Sequence, residues 1–279
     1  AEAEAAALQV LAADPDFAFI QAFDPASVDN GPHNFLVQRA LQEMQPLPRL
    51  DFLDPKYTAE ESGIPIAKAE EMHLILAEID IAAGDWAGAR ERIAQAIEVA
   101  LARPTTGFDD NDLRRNADLT IRPRDTEILV RASPESPFRA GLVLDRPGVL
   151  QTPHISGTSL DADSIRALST SGEEDILHAL YLARQEILFL EGRRLSDLGI
   201  RLPIMLREID TNASIGDGDA GTVGLVPTYI PARDGMDLFS PASPYAGSNP
   251  PVLETDQVTI AIDMNRVLAQ NRVSPFDIP

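Results

Sequence analysis

The chain has no cysteine, a single tryptophan and only two lysines, Lys56 and Lys68. Without cysteine there are no disulfides, no thiolate metal ligands and no thiol nucleophile, while the redox compartment stays open. Positive charge is scarce as well: 23 basic residues stand against 44 acidic ones, a net charge of −21 at pH 7. A field of that sign repels polyphosphate, which excludes nucleic acid as a partner. An acidic, lysine-poor composition follows equally from a salt-adapted host and from high genomic G+C. No apolar run approaches the ~20 residues that a membrane-spanning helix requires. The opening AEAEAAALQVLAAD has neither a basic nor an apolar signal region, so any export signal is expected to have been cut away or left out. Aromatic residues are only 5% of the chain, few for a protein that would stack sugars on aromatic faces.

What is present is helical periodicity. Ile176, Leu180, Ala183, Ile187 and Leu190 recur in steps of four and three, which lays one stripe along a helix facing a core. Leu177, Leu188 and Leu195 widen it. Ser171 and Glu174 have capping-box spacing, placing the start near Gly172, and Glu173, Glu174 and Asp175 crowd the positive end of the dipole. The helix is expected to run through 173–198, with Arg193 and Asp197 pairing across one turn, until Pro203 forbids continuation.

A helical hairpin is expected over 66–103, broken at Gly84 and Asp85. Leu76, Ala77, Trp86, Ala89, Ile93 and Ala96 match the close-packing positions of a tetratricopeptide unit. Trp86 is therefore assigned to core packing. A further short helix is expected over 161–168, pairing with the long one. Around these lie a first helix ending before Asp14, a proline-rich section with one helix over 35–44, and loop regions 104–160 and 211–255. The loops contain strand-like runs at 127–131 and 141–144, and the tail 256–279 holds a short element at 257–262 and a helical turn or two at 264–271. The fold class is thus mainly α, a single domain with a tetratricopeptide-like helical-repeat core and long irregular loops.

Two carboxylate-x-x-histidine pairs, Glu70 with His73 and Asp175 with His178, resemble half of a dinuclear metal site, with Glu78 or Glu186 as the further carboxylates. Solvated helix faces account for them as well, and no metal or other cofactor is assigned. GDGDAG at 216–221 satisfies G-x-G-x-x-G, yet Asp217 and Asp219 would repel a pyrophosphate, so it reads as a turn. Asp210, Asn212 and Ser214 are spaced like the first ligands of a calcium loop whose closing glutamate is missing, and Asp109, Asp110 and Asp112 raise the same question. His33 and His154 lie in loops without ligand-like neighbours. Loop aromatics Phe108, Tyr229, Phe239 and Tyr245 are the candidates for ligand contact.

Taken together, the hairpin at 66–103, the helix ending in EGRRLSDL and the terminal LAQN resemble the SusD/RagB family of outer-membrane nutrient-binding lipoproteins. The family motif EG-x-R-x-x-DL falls on Glu191, Gly192, Arg194, Asp197 and Leu198, and the tail QN on Gln270 and Asn271. PLPRLDFLDPKY is similar to the extended stretch that precedes the hairpin in the family. The resemblance covers 45–279 and implies the C-terminal part of a longer, N-terminally lipidated protein at the cell surface. It implies capture of a glycan or peptide nutrient without catalysis, in partnership with a SusC-like TonB-dependent outer-membrane transporter. Arg194 and Asp197 are then expected to fix the helix exit as a charged pair, with Gly192 allowing close packing. Two rival readings are a tetratricopeptide-type protein-interaction scaffold and a dinuclear-metal helical enzyme.

Overall fold

The computed structural model describes residues 1–22, 24, 26–27, 31, 62–109, 127–131, 139–143, 149–153, 155–219, 221–231, 239–240, 257–260 and 262–271. The expected helix over 35–44, Lys56, the PLPRLDFLDPKY stretch, His33, His154, Asp110, Asp112 and Tyr245 lie outside them. The described chain is mainly α. Among its residues, no helix is long and apolar enough to cross a membrane.

Helix α1 (Glu2–Ala13) ends at Asp14 as its sequence predicts, with Glu2 and Glu4 at the positive end of its dipole. It rests on the hairpin through the buried Ala7. Strand β1 (Ala18–Gln21) then pairs antiparallel with β2 (Ile64–Lys68), with a register shift between Phe19 and Ile20. The stretch 66–68, expected to open the hairpin, is therefore strand. Pro65 has no N–H to give and fixes φ, which favours extended chain over a helical turn here.

Helices α2 (Ala69–Ala82) and α3 (Trp86–Ala102) form the hairpin. Gly84 turns the chain at a φ of +78°, a conformation glycine adopts without steric cost. Asp85 caps α3 by accepting the Gly88 N–H at 2.9 Å. Ala77, Ala89, Ala94 and Ala96 are fully buried, and their small side chains let the two helices approach closely. Trp86 packs, half-buried, against this core.

The central helix is α5 (Glu173–Ile187), preceded by the five-residue α4 (Ala162–Arg166), which Asp161 caps. Ile176, Leu180, Ala183 and Ile187 are all fully buried, as the period predicts. α5 packs on α2, α3 and α8 (Met264–Asn271), and Leu268 of α8 is fully buried. α4 packs on α3, so the principal neighbour of α4 is the hairpin rather than the long helix it was expected to pair with. Arg166 secures it there by forking onto Glu91 and reaching Glu98 at 2.6 Å.

Two details of α5 depart from its sequence. Gly172 is its N-cap with no side-chain cap bond, and the Ser171 hydroxyl lies 2.8 Å from that of Ser169, so the capping box does not form. The helix also stops at Ile187 instead of continuing to 198. Lys68 Nζ donates to the Ile187 carbonyl at 2.7 Å, the oxygen to which the Glu191 N–H would donate in a continuing helix. That N–H bonds Leu188 instead, at 3.1 Å. Leu190 at φ +56° and Gly192 at φ +78° then redirect the chain into α6 (Arg194–Asp197). Apart from its chain neighbours, no atom lies within 4 Å of a Cβ built on Gly192, so its role is the left-handed backbone and not the close packing expected of it.

Beyond α6, the chain passes through α7 (Leu206–Thr211). The loop regions contain more pairing than their composition suggests. β3 (Thr105–Asp109) pairs antiparallel with β6 (Val149–Pro153). β4 (Glu127–Arg131) and β5 (Arg139–Val143) join β7 (Phe239–Ser240) and β8 (Gln257–Ile260) in a four-stranded sheet ordered β5-β4-β8-β7. β4 and β8 run parallel, which brings residues 129–131 beside 257–259.

Candidate functional site

The densest polar chemistry in the described chain is a buried seam of ion pairs where the motif after α5 meets the start of the hairpin. β2 delivers Lys68 to this place, fully buried, with Nζ 2.6 Å from Glu191 Oε1 and with the Ile187 carbonyl as a second acceptor. A lysine so placed would cost several kcal/mol if unpaired, and the carboxylate with the two carbonyls of Ile187 and Ile155 satisfies its three donors.

The next turn of α2 supplies Glu70 and Glu71, both buried. Glu70 accepts a bidentate fork from Arg103 at 2.9 and 2.8 Å, and the same guanidinium donates to the carbonyls of Asp16 and Phe17. Burial pushes the Glu70 carboxyl up, but the Arg103 fork and nearby Lys68 outweigh it and leave the group below its ordinary 4.5. Glu71 accepts Arg193 at 2.6 and 3.1 Å, and Arg193 also donates to the Glu191 and Ile66 carbonyls. The expected Arg193–Asp197 side-chain pair is thereby replaced: Asp197 takes Arg184 Nε at 2.7 Å. Arg184 Nη1 also reaches Glu78 at 2.7 Å, joining α2, α5 and α6 through one guanidinium. Burial lowers the pKa of Arg184, and Asp197 with Glu78 raises it further than burial lowers it, so the group stays cationic.

The motif's other arginine ties in the tail. Arg194 donates to Asn265 Oδ1 at 2.9 Å, and Asn265 donates in turn to Gln185 at 2.7 Å. Gln270 and Arg266 reach Glu174, and Asn271 bonds back to the Val267 carbonyl within α8. Leu198 is buried in the core.

The carboxylate-x-x-histidine pairs are spread over different partners. His178 Nε2 lies 2.8 Å from Asp263, which also accepts the Asn265 N–H at the start of α8, while Asp175 holds Arg266. Glu186 is fully buried and accepts Thr158 Oγ1, the Ser159 N–H and Ser159 Oγ. Among the described residues, no three His, Asp or Glu side chains are grouped to hold a metal ion.

His73 has a consequence that can be measured. Burial and Arg92 hold its imidazole below the ordinary 6.5 against the opposing pull of Glu70 and Glu98, and its Nδ1 has no hydrogen-bond partner. The unfolded chain binds this proton more readily than the folded one. Its contribution is therefore complete above pH 6.5 and declines as pH falls below that value. Urea midpoints compared at pH 5 and pH 8 should show that decline in the native protein and a smaller one in His73→Gln.

Of the loop aromatics, Tyr229 is half-buried against the core and donates its hydroxyl to the Leu198 carbonyl at 3.2 Å. Gly199 sits beneath it at φ +73°, where an added Cβ would lie 2.7 Å from the Tyr229 hydroxyl. Gly199→Ala should cost about 1 kcal/mol or more from the left-handed backbone alone, seen as a lowered melting temperature. Phe108 lies in β3 opposite Leu150, and Phe239 in β7 opposite Ile260. In the acidic turn, Asp219 accepts the Gly216 N–H and Thr222 accepts that of Gly218, so GDGDAG closes on itself. Asp210 belongs to α7, and Asn212 Oδ1 accepts the Ser214 N–H at 3.1 Å.

Lys68, Glu71, Arg103 and Arg184 were not among the residues that sequence reasoning singled out. Arg184 carried a signal, since it follows Leu177 by seven residues and so falls on the buried face. Lys68 carried another, as a rare lysine closing an apolar run. Compared with protein-family models, with curated proteins and with solved structures, the chain finds no match.

Proposed function

We propose that the protein is a SusD/RagB-like, non-enzymatic component of an outer-membrane uptake complex. In this reading it captures a glycan or peptide nutrient at the cell surface and passes it to a TonB-dependent transporter, with a lipid anchor carried on a preceding segment. The hairpin is then one unit of a tetratricopeptide-like core.

One observation carries the reading. The motif is tied to both neighbouring segments: Lys68 of β2 and Glu71 of the hairpin hold Glu191 and Arg193, and Arg194 holds Asn265 near the start of the helix that ends in LAQN. The motif's charges are used inside the scaffold, as expected of residues that define a fold. Ligand selection then belongs to the segments the scaffold carries, as it does wherever one fold hosts many binding specificities.

The test is fractionation of native cells. The reading requires the protein in the outer-membrane fraction, open to externally added protease, and copurifying with a β-barrel transporter. Recovery from the cytosol with soluble partners alone would overturn it.

A further inference from the structure

The acidic turn holds one of its carboxylates and leaves another free. Asp219 Oδ2 accepts the Gly216 N–H at 2.7 Å. Asp217 is exposed and makes no hydrogen bond or ion pair among the described residues. Gly218 follows it, exposed, at φ +90°, with open space where a Cβ would stand. A residue without a side chain leaves its own main-chain nitrogen uncrowded, so an aspartyl carboxyl reaches that nitrogen most readily when glycine comes next. Asn–Gly or Asp–Gly bonds stand at 30–31, 217–218 and 234–235, and only at 217–218 are both residues described.

The Gly218 nitrogen is restrained from one direction. Its N–H donates to Thr222 Oγ1 at 3.0 Å, and the Thr222 hydroxyl gives its own hydrogen to the Asp219 carbonyl at 2.8 Å. A hydroxyl carries a single hydrogen, so Thr222 faces Gly218 purely as an acceptor. The bond fixes the peptide plane of Gly218 and keeps the amide hydrogen in place. Attack by this nitrogen requires that the plane turn and the hydrogen leave, so the bond must open first.

We propose that Asp217 is a site of spontaneous isomerisation to isoaspartate, and that Thr222 sets its rate. With the carboxyl protonated, the Gly218 nitrogen bonds to Cγ of Asp217. The Cγ–OH bond breaks, and the hydroxyl leaves with the amide hydrogen as water. A second water then opens the five-membered imide. Opening at the side-chain carbonyl restores aspartate, and opening at the main-chain carbonyl gives isoaspartate, whose chain runs on through Cγ. Nothing is oxidised or reduced, and water is the sole co-reactant. The product lengthens the main chain inside a turn closed by the Gly216–Asp219 and Gly218–Thr222 bonds. The inference goes beyond the uptake reading and does not depend on it.

The experiment ages the full folded chain in mildly acidic water enriched in heavy oxygen, then maps its peptides by fragmentation mass spectrometry. Each imide opening leaves one heavy oxygen at the residue that cyclised, whichever carbonyl is attacked. The expected result is heavy oxygen at Asp217, with isoaspartate among the products, and none there in Asp217→Glu, whose ring would have six members and closes far more slowly. Thr222→Val should speed labelling about fivefold, the weight of one hydrogen bond. Thr222→Ser keeps the hydroxyl and should hold the native rate, which separates the bond to Gly218 from a general loosening of the turn. No heavy oxygen at Asp217 in the Val variant, equal rates in the Val variant and the native chain, or a Ser variant as fast as the Val variant would each overturn the proposal.

Discussion

Lys68→Met should lower the free energy of unfolding by about 3–5 kcal/mol, the cost of stripping one partner from a buried ion pair. The substitution keeps most of the side-chain volume but leaves the Glu191 carboxylate, 2% exposed, without its ammonium. It also removes the donor that takes the Ile187 carbonyl at the point where α5 ends. Urea unfolding measures the loss as a lower midpoint with an unchanged slope, because the exposed surface on unfolding hardly differs. A loss below about 1 kcal/mol would place the pair among solvated surface bridges.

Arg184→Met should be comparably severe, about 3–5 kcal/mol, because it releases two carboxylates at once. Asp197 and Glu78 reach separate nitrogens of one planar guanidinium, Nε and Nη1, each at 2.7 Å. A lysine ammonium is a single point charge and cannot occupy both directions, so Arg184→Lys should recover only part of the loss. Thermal melts of the three proteins at one pH and salt concentration order them as native, Lys variant, Met variant. Equal melting of the Lys variant and the native protein would show that charge alone, without fork geometry, joins the three helices.

The apolar skeleton was legible because periodicity is a local property. Ile176, Leu180, Ala183 and Ile187 are fully buried, and the break at Gly84 and Asp85 is where the hairpin turns. The end of α5 was not legible, because the apolar period continues through Leu190 and only a residue 119 positions away takes the Ile187 carbonyl. Charge pairing failed to be legible for the same reason. Arg193 has Asp197 one turn along, the neighbour that spacing favours, yet its guanidinium turns to Glu71 across 122 positions. Spacing along a helix ranks near neighbours but does not show that Asp197 is already held by Arg184, which leaves Arg193 for Glu71. The strands of 104–160 were visible only in part. Glu127–Arg131 stands where its β-branched and aliphatic run predicts it, but its parallel partner Gln257–Ile260 enters from the far end of the chain.

For the candidate site, the segment after α5 stood out in the sequence, while the partners of its residues did not. Glu191, Arg194 and Asp197 bond to other elements of the fold, and Leu198 is buried in the core. Their partners Lys68, Asn265 and Arg184 come from three other elements, and Gly192 serves backbone geometry instead of packing.

That the segment after α5 is a structural lock, with its chemistry spent inside the fold, is tested most directly by a double-mutant cycle between Lys68 and Glu191. The account requires that Lys68→Met and Glu191→Leu each destabilise strongly, and that the double variant regain at least about 2 kcal/mol of the summed loss, since an apolar pair leaves no buried charge behind. Losses that simply add would contradict it.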